Sequence, residues 1–194
     1  MTRMQLVVIG NGMAGMRTVE ELLQLAPDKY DITVIGREPH GNYNRIMLSP
    51  VLAGEKAFED IVIHPLSWYA ERGITLLAGH TVTGVDRVQR CVSTDQGVVV
   101  RYDRLLLATG SVPFMIPMPG HDHPDVISFR DIADVRRMLA PSATPPRVVV
   151  LGGGLIGLEA ANGLVKQGMA VTVVNDAAYL LSRQLDEEAS SLLR

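Results

Sequence analysis

The order of apolar runs and turn residues in this sequence describes an α/β protein: a parallel sheet, a small antiparallel β-meander, and the start of a second β-α-β unit. Short aliphatic runs alternate with stretches whose apolar residues recur every three to four positions. Two of those runs, at Leu6–Ile9 and Val148–Leu151, feed into the same spacing of glycines, at Gly10–Gly15 and Gly152–Gly157. Between the two lies a block of strand-length segments with a hairpin signal, Asp95-Gln96-Gly97.

Gln5 to Ile9 is a continuous apolar run of the kind found in buried parallel strands, stopped by Gly10. Met13, Met16, Val19, Leu22 and Leu23 then follow helical spacing, and Pro27 ends the helix. A strand at Ile32–Ile35 completes the first β-α-β unit. Tyr43–Leu52 lacks a period and predicts a loop passing into a short helix. Leu66–Arg72 predicts a helix stopped by Gly73, with a strand at Ile74–Ala78. Thr81–Asp86, Arg90–Thr94 and Val98–Tyr102 predict the meander, and Leu105–Ala108 another buried strand. The Pro-rich stretch Gly110–Pro119 predicts a connector, Ser128–Leu139 an amphipathic helix, and "PSATPP" a linker. The unit then restarts: strand Arg147–Leu151, helix Leu155–Lys166 stopped at Gly168, strand Val171–Val174. The expected domains are 1–113, a connector with a helix at 114–146, and an incomplete second unit at 147–194.

Composition narrows the class. Of 194 residues, 47% are hydrophobic and 20% charged, which fits a globular domain with a real core. A net charge of −3 argues against nonspecific binding to nucleic acid. The single cysteine, Cys91, excludes an intramolecular disulfide, a C-x-x-C redox pair and a multi-cysteine metal cluster within the chain. The run at Leu6–Ile9 is too short for a signal sequence or a membrane span, so a cytoplasmic protein is expected. The five histidines show no ligand spacing beyond His121-Asp122-His123, which reads as solvated connector, and the methionines read as core filler. No metal site is expected.

The glycine turns carry the chemistry. In G-x-G-x-x-G the first glycine allows the tight turn, the second lets backbone approach a pyrophosphate, and the third lets helix pack on strand. The helix N-terminus then offers free N–H groups and a partial positive charge. Gly10, Gly12 and Gly15 meet this pattern, as do Gly152, Gly154 and Gly157, and each set has a strand before it and a helix after it. The fold expected is therefore Rossmann-like and three-layered, with two dinucleotide sites. Two identical nicotinamides would serve no reaction, whereas a flavin adenine dinucleotide (FAD) beside a nicotinamide dinucleotide, NAD(P)H, permits hydride transfer.

Five stretches, "GNGMAG", "YNRIMLSPVLAGE", "YDRLLLATGSVP", "FRDIADV" and "VLGGGLIGLEAA", together resemble the flavin-dependent pyridine-nucleotide reductases. The chain is most similar to the N-terminal region of the large subunits of NAD(P)H-dependent nitrite reductases, to which "YNRIMLSPVLAGE" and the later "RQLD" point. Putidaredoxin- and rubredoxin-type reductases share the layout. The resemblance implies that Gly10, Gly12, Ala14 and Gly15 hold the flavin pyrophosphate, that Val82 meets the adenine, and that Thr109 and Gly110 close the flavin site. It implies that Arg130 lies against the flavin nucleotide, that Arg45, the arginine of the family's Y-x-R stretch, binds cofactor, that Gly152, Gly154, Ile156 and Gly157 hold NAD(P)H, and that Glu159 acts catalytically at the flavin and nicotinamide.

Three departures stand out. Arg37 occupies the place of the ribose-binding acid, with Glu38 beside it. Asn175, beside Asp176, occupies the corresponding place at the second site and decides neither NADH nor NADPH. Pro50 stands where ferredoxin-reductase relatives have lysine.

The resemblance further implies that sirohaem and an iron–sulfur cluster sit on a missing C-terminal part, and that the chain is an N-terminal fragment, inactive alone and prone to self-association through unpaired edge strands. Electron-acceptor centres would lie on that part or on a small subunit. Two alternatives stand: a ferredoxin-, rubredoxin- or nitrate-reductase-type electron-transfer reductase, and an inactive nucleotide-binding fragment.

Overall fold

Residues 3–140 and 146–193 are described by a computed structural model. In chain order they form β1 (Met4–Ile9), α1 (Met13–Leu25), β2 (Tyr30–Gly36), β3 (Asn42–Tyr43), α2 (Leu48–Leu52), β4 (Val62–His64) and α3 (Leu66–Glu71). There follow β5 (Thr75–Ala78), β6 (Val82–Asp86), β7 (Cys91–Thr94), β8 (Val99–Arg101), β9 (Arg104–Leu107) and α4 (Ile132–Met138). The last elements are β10 (Arg147–Leu151), α5 (Leu155–Lys166), β11 (Ala170–Val174) and α6 (Glu187–Ser191). Residues 141–145 of the expected linker lie outside the described residues.

The elements fall into two compact units. The first holds the described residues up to Asn44 together with Val62–Ser111; the second holds Arg45–Ile61 together with the described residues from Val112 onward. Residues 45–61, expected within the first domain, thus group with the second, because α2 packs on α5.

In the first unit β5, β2, β1 and β9 lie side by side in that order, all parallel. Both faces of β1 are apolar because successive side chains point to opposite sides. Leu6 and Val8, with Ile32 and Val34 of β2, meet Met16 and Val19 of α1 and Tyr69 of α3. Val7, Ile9 and Ile35 face the other way, against Val92, Val82 and Val100 of the antiparallel meander β6–β7–β8. The result is the expected three layers: helices, parallel sheet, meander. Each fully buried aliphatic side chain here contributes roughly 1.5–3 kcal/mol.

In the second unit β10 and β11 pair in parallel and α5 crosses between them. Ala160, Ala161, Gly163 and Leu164 of α5 are buried. A side chain at Gly163 would come within 2.8 Å of Leu52, so α2 approaches α5 closely where this glycine leaves room. Gln167 donates to the Leu52 carbonyl at 3.0 Å, and Lys166 pairs with Glu55. Val149, Leu151 and Val174 stay exposed on one face of the strand pair.

The helix expected over Ser128–Leu139 is shorter, starting at Ile132. Asp131 caps it, accepting from the Asp134 N–H at 3.0 Å, and the Asp134 carboxylate accepts in return from the Asp131 N–H at 3.3 Å. The same carboxylate also accepts from the Ser128 hydroxyl at 2.9 Å and the Arg130 N–H at 2.8 Å, which holds 128–131 as a cap loop outside the helix. Asp131→Ala is expected to cost about 1 kcal/mol, read as a lowered denaturation midpoint; an unchanged midpoint would show that the cap is not limiting.

Candidate functional site

At the first turn, packing accounts for two of the three glycines. Gly10 has φ +114°, and a Cβ there would lie 2.0 Å from the Ala108 carbonyl oxygen and 3.2 Å from the Thr109 nitrogen. Its N–H donates to the Ile35 carbonyl at 2.8 Å, so the turn is tied to the end of β2. A Cβ on Gly15 would meet the Gly10 oxygen at 2.9 Å and the Ala108 Cβ at 3.0 Å. Thr109, which follows β9, lies beside the turn, and both it and Gly110 are exposed.

Gly12 differs. It has φ −86° and ψ 174°, a conformation open to any residue. Beyond its chain neighbours, no heavy atom of the described residues lies within 4 Å of a Cβ built on it. It is the N-cap of the 13-residue α1, and no side chain caps the first N–H groups of that helix. Ala14 is exposed in the first turn of the helix.

The second turn repeats this. Gly152 has φ +116° and donates to the Val174 carbonyl at 2.8 Å. A Cβ on Gly157 would lie 2.1 Å from the Gly152 oxygen. Gly154, at φ −84° and ψ 179°, is the N-cap of the 12-residue α5, again without a side-chain cap and without a described neighbour within 4 Å. Ile156 is exposed beside it.

The acidic and basic candidates settle as follows. Glu38 accepts from the Tyr43 hydroxyl at 2.6 Å, while Arg37 is exposed. Val82 is half-buried in the apolar cluster under the meander. Arg45 donates to the Arg130 carbonyl at 2.8 Å, which brings those two arginines together in the second unit. Glu159 is exposed and accepts from the Ser49 hydroxyl at 2.6 Å, a partner the sequence reading did not foresee. The Asn175 side chain turns into its own loop: its oxygen accepts from the Gly153 N–H at 3.1 Å, and its amide donates to the carbonyls of Ala177 and Tyr179. Asp176 beside it is exposed.

A buried polar network at the first turn was also missed. The Tyr69 hydroxyl donates to the Asn11 side-chain oxygen at 2.7 Å and accepts from the Asn42 N–H at 3.1 Å. The Asn42 side-chain amide donates to the Asn11 carbonyl at 3.0 Å, and the Asn11 amide donates to the His40 carbonyl at 3.1 Å. Burial pushes the Tyr69 phenol above its usual pKa, opposed by the hydrogen bonds from Asn42 and to Asn11. The one sequence signal was an asparagine between two glycines; its partners stand 31 and 58 residues away.

The sequence matches the Pyridine nucleotide-disulphide oxidoreductase family over residues 4–194. The chain belongs to that family. It is 50% identical over its whole length to a nitrite reductase [NAD(P)H] of Bacillus subtilis (strain 168), of which it covers 24%. It is 44% identical to the assimilatory nitrate reductase electron transfer subunit of the same organism, covering 25% of that protein. Among solved structures it resembles NADH:rubredoxin oxidoreductase from Clostridium acetobutylicum, with a TM-score of 0.85, 25% identity, and coverage of 99% of this chain and 50% of that one. The chain thus spans about a quarter of the length of these curated relatives.

The chain carries one cysteine, the half-buried Cys91 on β7, so no dithiol forms within it. No group of three metal-ligating side chains occurs among the described residues, and no described helix is long and apolar enough to cross a membrane.

Proposed function

We propose that this chain is the FAD- and NAD(P)H-binding part of a flavoprotein reductase of the nitrite reductase type, with FAD at the first glycine turn and the nicotinamide dinucleotide at the second. The observation that carries this reading is the pair Gly12 and Gly154. Neither glycine is required by its backbone angles or by crowding from the protein, and each stands at the uncapped N-terminus of a long helix. An approaching pyrophosphate accounts for both features, because it needs the empty Cβ position and accepts from the free N–H groups.

FAD, when bound, supplies an acceptor for hydride from the nicotinamide. The chain's own residues bind and orient. Thr109 and Gly110 border the first turn, Ala14 leaves the helix start uncovered, and Arg45 and Arg130 supply cationic contacts to the flavin nucleotide. Glu38, oriented by Tyr43, and Arg37 are the groups for the adenosine end, with Val82 toward the adenine. Gly152, Ile156 and Gly157 shape the second turn, and Glu159, held by the Ser49 hydroxyl, presents a carboxylate where the nicotinamide amide would lie. Asn175 is engaged in its own loop, so discrimination at the ribose passes to its neighbour Asp176. Sirohaem and iron–sulfur centres, which would accept the electrons, would lie outside these 194 residues, since one cysteine cannot hold a cluster.

The likeness to a nitrate reductase electron transfer subunit supports a second reading, in which the electrons leave for a separate carrier protein. The full-length protein tests both. Its blue flavin absorbance is expected to bleach on anaerobic addition of NADH or NADPH and to recover with nitrite. Recovery only with an added electron-carrier protein would favour the second reading. A colourless protein, or one that neither nucleotide bleaches, would sink both.

A further inference from the structure

Asn42 and Tyr69 are each 1% exposed, and their polar groups converge on one residue, Asn11, between the first two glycines of the first turn. We propose that Asn42 and Tyr69 are positioning residues that fix the Asn11–Gly12 peptide so that its N–H points at a dinucleotide pyrophosphate. This rests on the reading of that turn as the FAD site.

A peptide unit is planar and trans, so its C=O and the following N–H point in opposite directions. The Asn42 amide holds the Asn11 carbonyl at 3.0 Å, and that bond turns the Gly12 N–H to the opposite side, away from Asn42. The Asn11 side chain is pinned at both ends, by the Tyr69 hydroxyl at 2.7 Å and the His40 carbonyl at 3.1 Å. Gly36 leaves room for it, since a Cβ there would lie 2.7 Å from the Asn11 Cβ. A peptide with glycine on one side turns more readily than most, and without these bonds a ligand binding to it would have to supply the ordering. The second turn fixes the equivalent peptide through the same atom. The Leu181 N–H donates to the Gly153 carbonyl at 2.9 Å, which turns the Gly154 N–H to the opposite side. Two unrelated sets of residues thus hold the same carbonyl in both turns.

The test uses the full-length protein stripped of flavin and reconstituted. Asn42→Ala is expected to raise the FAD Kd about fivefold to tenfold, and to shift the 31P resonances of the bound pyrophosphate, while NAD(P)H affinity stays unchanged. Tyr69→Phe keeps the ring and is expected to move both readouts the same way by less; if Asn42→Ala does not fold, Tyr69→Phe decides. Folded variants with wild-type Kd and 31P spectrum overturn the proposal, even where their melting temperature falls, because that marks a purely structural network. Loss of flavin in Gly12→Val with both other variants unchanged defeats the positioning role alone. Retention of flavin in all three defeats the FAD assignment as well.

Discussion

Gly12→Val is expected to strip FAD from the full-length protein while leaving it folded. The backbone at Gly12 lies at φ −86° and ψ 174°, which valine adopts readily, and no described atom beyond its neighbours stands within 4 Å of the new Cβ. The protein therefore tolerates the side chain and the ligand does not. A valine there occupies the space that a pyrophosphate needs to reach the N–H groups of α1. Losing two charge-assisted hydrogen bonds costs roughly 3 kcal/mol or more, which corresponds to about a hundredfold in Kd. The flavin-to-protein ratio after gel filtration, beside a circular-dichroism melt, reads both halves. Stoichiometric flavin in this variant would remove the first turn from the FAD site.

Two residues away the same kind of change has the opposite consequence. Gly10→Ala is expected to destabilise the first unit by more than about 4 kcal/mol. At φ +114° an L side chain is strained whatever the space, and the space is absent: the new Cβ would sit 2.0 Å from the Ala108 oxygen and 2.6 Å from its carbonyl carbon. Both atoms are backbone and cannot swing aside. Against the 5–15 kcal/mol that typically holds a domain, a loss of that size leaves little or no folded protein. Soluble yield and the melting transition measure it. A Gly10→Ala protein with the wild-type transition would show that β1 and β9 do not approach as closely as the turn requires.

The contrast explains what the sequence could reveal. Glycine spacing marked both turns, and the two-faced apolar run of β1 marked a strand buried on both sides; these signals are local and the fold keeps them. α1 ends at Leu25, just ahead of Pro27, because proline punctuates the chain wherever it stands. The start of α4 was misplaced because apolar spacing continues through residues 128–131, while the Asp131–Asp134 exchange that stops the helix depends on side-chain geometry. Ser49 against Glu159 joins residues 110 positions apart, and no local pattern announces it. The same holds for Asn11, Asn42 and Tyr69, ordinary polar residues until β3 and α3 bring them to one turn. Asn175 looked like a cofactor-reading position because of its place after β11, and only the loop at Ala177–Tyr179 shows that its amide is already engaged.

The assignment of Arg45–Ile61 to the second unit has a practical consequence for anyone dissecting the gene. The first unit is not a contiguous reading frame. A clone stopped after Ser111 would carry α2 without the α5 and α4 surfaces on which it rests, and would expose Leu48, Val51 and Leu52 to solvent as a sticky insertion. A faithful excision joins Asn44 to Val62 through a short designed bridge. Proteolytic nicking behaves accordingly: a cut after Ser111 leaves Arg45–Ile61 on the N-terminal fragment, held to the rest of the second unit by packing alone.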